Sequence, residues 1–163
     1  LPNEWVDRDD RAAGDCPAGP VNDHENVAKL LDENTWKDGG MTDAAFQTKY
    51  MFPPASGVIE NTPGQRDGES LIRSGDLSDE VLLSRSADQA MKGNRAGQGV
   101  TFASVRRTRD ITSHDDPNVR LFRIYEDPTE ELPQHAVIRF DAAYKLQWRL
   151  ARIKLKKSFE RKI

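Results

Sequence analysis

Three runs in the second half of the chain, residues 100–111, 119–125 and 136–140, are dense in β-branched and aromatic residues and are separated by Asp, Asn and Pro. Those residue types suit a pleated, half-buried surface and those breaks suit turns, so the runs predict an antiparallel meander. Ahead of them the apolar residues follow a helical spacing. Asn22 or Asp23 reads as the cap of a helix whose stripe is Val27, Leu30 and Leu31, closed over by Trp36. After the Asp38-Gly39-Gly40 turn, Thr42 reads as the cap of a second short helix carrying Ala44, Ala45, Phe46 and Tyr50. Helices before a sheet is the α+β order rather than the alternating βαβ order. The expected fold is therefore α+β: N-terminal short helices, a small antiparallel sheet and a long basic C-terminal helix.

At 163 residues the chain is long enough for one domain with its own core and too short for two ordinary ones. Apolar residues make up 36% and charged residues 31%, above the usual quarter, so part of the chain is expected to be solvated or to order on a partner. Residues 1–20, rich in Asp, Gly and Pro, read as an extended acidic arm, with Trp5 and Val6 as local anchors. Residues 21–163 read as the domain, with a loop-rich insertion at about 53–79 and a basic helix at about 141–160. Within the domain, residues 80–84 read as a short strand, followed by a helical turn from Ala87 to Met91 that stops at Gly93.

Charge is distributed unevenly. Residues 1–49 carry a net −6 and residues 50–143 a net −4, whereas residues 144–163 carry eight bases against one acid. Such asymmetry points to an interacting tail or to two ends that dock on each other. On a helical wheel Leu146, Leu150 and Ile153 fall on one side, and Trp148, Leu155 and Phe159 fall nearly opposite. Lys145, Arg149, Arg152 and Lys156 fill one stripe between them, and Lys154 and Arg161 fill the other. A helix with two apolar stripes has one more than its own domain needs.

The remaining chemistry-bearing residues form no recognised pattern. Cys16 is the single cysteine, which excludes an internal disulfide and multi-cysteine metal sites and suits a reducing cytosol; its acidic neighbours disfavour a thiolate. Asp7, Asp9, Asp10 and Asp15 lack the spacing of a calcium loop. His24, His114 and His135 are far apart and lack metal-ligand spacing, so neither metal nor cofactor is expected. His135 opens a predicted strand and reads as a structural hydrogen-bonding residue. Ser84 and Ser86 have no nucleophile-elbow signature and read as surface serines. The glycine-rich run 92–99 has a helix entering and a strand leaving, the reverse of a phosphate-binding loop. Arg106, Arg107, Arg109, Arg120, Arg123 and Arg139 are expected on the sheet, paired with acids across strands or forming an anion-binding face. No run of about eighteen apolar residues is present to span a membrane, and no secretory start is seen, which reads as a cytoplasmic protein.

Three segments carry a resemblance. Asp23-x-Glu25-x-Val27-Ala28-x-Leu30-Leu31, then Asp38-Gly39 with Thr42-x-Ala44-Ala45-Phe46, and later Pro133-x-His135-Ala136-x-Ile138 together resemble a small, uncharacterised family of bacterial proteins. The resemblance implies a cytoplasmic bacterial accessory subunit encoded beside mobile-element or defence genes, and it supplies no catalytic residues. Residues 53–79 and the basic C-terminal helix go beyond the family pattern. The functional expectation is a noncatalytic interaction subunit that docks a protein through Lys145, Trp148, Arg149, Arg152 and Lys156, with Arg107 and Arg109 on the sheet. The alternative is a nucleic-acid-binding accessory protein using the same cations. A small hydrolase is the third class, and it requires a cleft in which the histidines and carboxylates converge.

Overall fold

The computed structural model describes residues 19–52 and 67–163. All but the last two residues of the acidic arm, Cys16 among them, and most of the predicted insertion lie outside these residues. The chain is α+β. In order, the elements are β1 (Asn26–Asp32), a small hairpin of β2 (Trp36–Lys37) and β3 (Gly40–Met41), a 3-10 turn Asp43–Phe46, the single-turn α1 (Thr48–Met51) and β4 (Glu69–Arg73). There follow α2 (Asp79–Lys92), β5 (Gly97–Ser104), α3 (Val105–Arg109), β6 (Phe122–Glu126) and β7 (His135–Phe140). A 3-10 turn, Ala142–Gln147, leads into α4 (Trp148–Ser158), and β8 (Phe159–Lys162) closes the chain.

Six strands form one antiparallel sheet in the order β6-β7-β4-β1-β5-β8. The predicted meander is therefore only partly present: β6 and β7 form a hairpin, with Phe122 opposite Phe140, but β5 is separated from them by β1 and β4.

Several local expectations are corrected. The predicted first helix is β1, a central strand paired with both β4 and β5. Both its faces are buried, so its apolar residues run on without alternating, and Val27, Leu30 and Leu31 imitate a helical stripe. Trp36 lies in the β2–β3 hairpin opposite Met41 instead of covering a helix. The predicted strand at 80–84 is the first turn and a half of α2. Ser78 accepts a hydrogen bond from Val81 N, Asp79 and Glu80 favour the positive helix end, and only Leu82 of the Val-Leu-Leu run is buried. β4 lies inside the predicted loop-rich insertion, yet it is a central strand. The chain enters it through Gly68 at φ +148°, where an added Cβ would lie 2.9 Å from Ile138 O. β5 ends at Ser104, whose hydroxyl accepts from Arg107 N and starts α3, so Arg106, Arg107 and Arg109 sit on a helical turn and not on the sheet. The C-terminal helix ends at Ser158, and the next four residues return as an edge strand on β5.

The two sheet faces are covered unequally. On one, α4 presents Trp148, Ala151 and Leu155 to a core that includes Val27, Leu71, Phe122 and Ile138. Phe52, Phe122, Phe140 and Trp148 meet edge-on or tilted with centroids 5.2–6.3 Å apart, geometry that aromatic quadrupoles favour. Lys29 is buried on this side, 5.6 Å from the Phe46 ring centre and 3.7 Å from Glu69. Its burial holds the ammonium pKa below the usual lysine value, against the opposing pull of Glu69. On the other face α2 covers Ala28, Val100 and Phe102 with Leu82. Ser86 of α2 is buried rather than a surface residue, and its hydroxyl lies within hydrogen-bonding distance of Leu31 O (3.0 Å) and Gly99 O (2.8 Å). Those carbonyls flank the bulge where β1 and β5 slip register, so one hydroxyl fixes the helix to the irregular point of the sheet.

Candidate functional site

The outer side of α4 is the first candidate surface. With Trp148, Ala151 and Leu155 turned inward, the helical period turns Leu150 and Ile153 outward, and Leu146 precedes them on the 3-10 turn. Leu146 is fully exposed, and Leu150 and Ile153 are 46% and 41% exposed. Their spacing of four and then three residues makes one ridge. No described helix is long and apolar enough to cross a membrane.

The cations around this ridge divide into two groups. Arg152 and Lys156 reach back to Asp43 at 3.2 and 2.6 Å, tying α4 to the 3-10 turn that positions Phe46. The hydrogen bond from Lys156, reinforced by the charge of Arg152, holds the Asp43 carboxyl below its ordinary pKa despite some desolvation. Arg152 also lies over the Trp148 ring at 5.2 Å. These two residues are occupied within the fold. Arg149, Lys154 and Lys157 are exposed and have no acid within ion-pair distance among the described residues. Lys145 is also exposed, 5.8 Å from the Phe52 ring centre. Trp148 itself is interior, its Nε1 donating to Thr48 Oγ1 at 3.0 Å.

The arginines expected on the sheet do not form a binding face. Arg109 is fully buried: it pairs with Asp23 at 3.0 Å and donates to Val21 O and Ile124 O. Arg120 is buried beside Asp23 and Asp110, and Arg73 grips Glu25 with two nitrogens. Together they fasten residues 19–25 to the domain, which is internal pairing and not an external face. Arg107 is exposed but pairs with Glu160, beside a second ion pair between Arg161 and Asp79.

A cleft of about 470 Å³ opens on the α2 side of the sheet, where α2 stops short of covering β4 and β7. Three adjacent strands bring a serine, a histidine and an aspartate together there. Asp127 follows β6 and His135 opens β7 across the hairpin, where Asp127 N donates to His135 O at 2.9 Å. β4 pairs with β7 so that Ile72 is opposite His135 and Ser70 opposite Val137, which sets Ser70 and His135 as diagonal neighbours on one face. His135 Nδ1 lies 2.9 Å from Asp127 O and 3.0 Å from Asp127 Oδ2, and Nε2 lies 3.1 Å from Ser70 Oγ. A carbonyl oxygen only accepts, so Nδ1 carries the proton. In the neutral ring Nε2 is then the acceptor and Ser70 the donor. Asp127 is 1% exposed, whereas Ser70 faces the cleft.

His24 and His114 are exposed and do not line this cleft. Among the described residues no group of three or more His, Cys, Asp or Glu is arranged to hold a metal ion. In the glycine-rich run, Arg95 is engaged with Asp32 at 3.2 Å, and the segment follows the C-terminal, electronegative end of α2. Sequence reasoning found the basic helix and singled out His135, but it missed Ser70 and Asp127. Comparison of the chain with protein-family models, with curated proteins and with solved structures returned no match.

Proposed function

We propose that this chain is an interaction subunit that docks a partner protein on the outer side of α4. The observation that carries the reading is the Leu146–Leu150–Ile153 ridge, which the fold leaves in water although the same helix already buries a full stripe. Aliphatic side chains at the centre of a patch gain free energy only by meeting other apolar surface. The cations beside the ridge specify the rim: Arg149, Lys154 and Lys157 fit a partner with an apolar centre flanked by carboxylates. The family resemblance adds that such a partner would belong to a bacterial multi-protein assembly, defence systems included.

Nucleic acid is the second reading, because the same cations suit phosphates. Phosphate contacts make binding fall steeply with salt, but they give no role to three exposed aliphatic residues in the middle of the patch. Affinity purification of the full chain from its source cells, with nuclease treatment, separates the two. The expected result is a protein retained after nuclease and lost from the Leu150→Asp and Arg149→Glu variants, but kept by Arg107→Glu. Retention that disappears with nuclease transfers the surface to nucleic acid. No retained protein, or one retained equally by every variant, removes the docking reading.

A further inference from the structure

We infer that the row Ser70–His135–Asp127 is an acyl-transfer site that hydrolyses carboxylic esters bound in the cleft on the α2 side of the sheet. The geometry supplies each part that a serine nucleophile needs. Ser70 Oγ, exposed at the cleft floor, donates to the nitrogen that is free to accept, at 3.1 Å. Asp127, almost fully buried, orients the ring from the other side and stabilises the imidazolium that forms when the proton moves. Nothing in the fold requires Ser70 to be a serine, since it is exposed on a strand and its hydroxyl bonds to His135 alone among the described residues.

The cleft walls indicate the substrate class. Leu30, Ile72 and Leu132 form an apolar side suited to an alkyl acyl group, and α2 contributes Arg85, Gln89 and Lys92 opposite. The Arg85 Nε–H has no hydrogen-bond partner among the described residues, and its Nη2 lies at the limit of bonding, 3.5 Å from Glu131 O. Arg85 and Lys92 put positive charge on the cleft wall, which favours an ester carbonyl oxygen as it gains negative charge.

The reaction balances with water as the only co-reactant. The Ser70 proton passes to His135 Nε2 as Oγ bonds to the acyl carbon. The ester C–O bond then breaks, and the same proton leaves on the alcohol. Water next adds to the acyl carbon and gives its proton to Nε2. The Ser70 ester bond breaks, releasing the acid, and the proton returns to Oγ. The row joins β4, β7 and the end of β6, away from α4, so this chemistry is independent of the docking surface.

The test uses the full chain, an alkyl fluorophosphonate and p-nitrophenyl butyrate. The expected result is a phosphonyl adduct mapped by mass spectrometry to Ser70, formed as the P–O bond replaces P–F. Its rate should fall at least about 100-fold in His135→Gln and markedly in Asp127→Asn, which leaves the ring in place but not the carboxylate that orients it. Butyrate ester hydrolysis should be lost in Ser70→Ala, whose thermal unfolding should match that of the parent. Should His135→Gln not fold, the labelling rate of Asp127→Asn makes the same decision. A reagent that labels a known serine hydrolase but leaves Ser70 unmodified overturns the inference, as does a labelling rate unchanged in both His135→Gln and Asp127→Asn or hydrolysis undiminished in Ser70→Ala. A purely structural His135 gives those negative results.

Discussion

The two long helices cover opposite faces of the sheet with the same kind of inner stripe but present different outer sides. α2 buries Leu82, Ser86 and Ala90 and balances three acids with two bases. α4 buries Trp148, Ala151 and Leu155 and carries five bases with no acid between Trp148 and Ser158. Packing on a sheet therefore requires no surplus of charge, because α2 holds its place without one; α2 does leave Val81, Leu83 and Met91 exposed, but not at the three- and four-residue spacing that lines up the α4 ridge. What α4 carries beyond α2 is in excess of what the fold needs. The comparison also explains the cleft: α4 and its neighbours close their face, whereas α2 leaves β4 and β7 open.

The comparison can be broken first at the inner stripes. Trp148→Ala removes the ring at the centre of three aromatic contacts and the bond to Thr48, and is expected to cost about 4 kcal/mol, read by denaturant unfolding. Ser86→Ala on α2 takes the hydroxyl from a buried and a part-buried carbonyl at the β1–β5 bulge, with an expected cost of about 1–2 kcal/mol. Equal, negligible effects at both positions would dissolve the distinction between inner and outer sides.

Asp43→Asn is expected to change stability least, by less than about 1 kcal/mol at neutral pH, because exposed pairs are weak. The sign of its pH dependence is firm. A carboxyl whose pKa is lowered on folding binds fewer protons in the native state, so its contribution is present above the unfolded carboxylate pKa and is lost as pH falls through the lower, folded value. Melting curves of the variant and parent should therefore converge in acid. A gap that widens as pH falls would show that Asp43 acts by some other means.

The sequence made the second half of the fold easier to read than the first. β7 is visible in it as a short run of β-branched and aromatic residues between turns, and the two sides of α4 by their helical period. β1 is disguised by burial on both faces, and the start of α2 by three adjacent apolar residues of which two are exposed. β4 follows a Pro- and Gly-rich stretch and contains Arg73, so its place at the sheet centre depends on partners far away in sequence. That hidden strand is why the cleft could not be assembled from sequence. His135 was a visible candidate, but Ser70 meets it only once β4 is known to pair with β7, and Asp127 only through the hairpin register. For Arg109, a cation near the basic segments gave no sign that its guanidinium would be wholly interior.

The most direct measurement places a photo-crosslinking amino acid at Leu150 of α4 and, separately, at Leu83 of α2, positions of nearly equal exposure at 46% and 40%. Both chains are expressed in the source cells and irradiated. The expected result is a discrete protein adduct from position 150, insensitive to nuclease, and none from position 83. No adduct from position 150, or the same adduct from both positions, would contradict the assignment of the outer side of α4 as a docking surface.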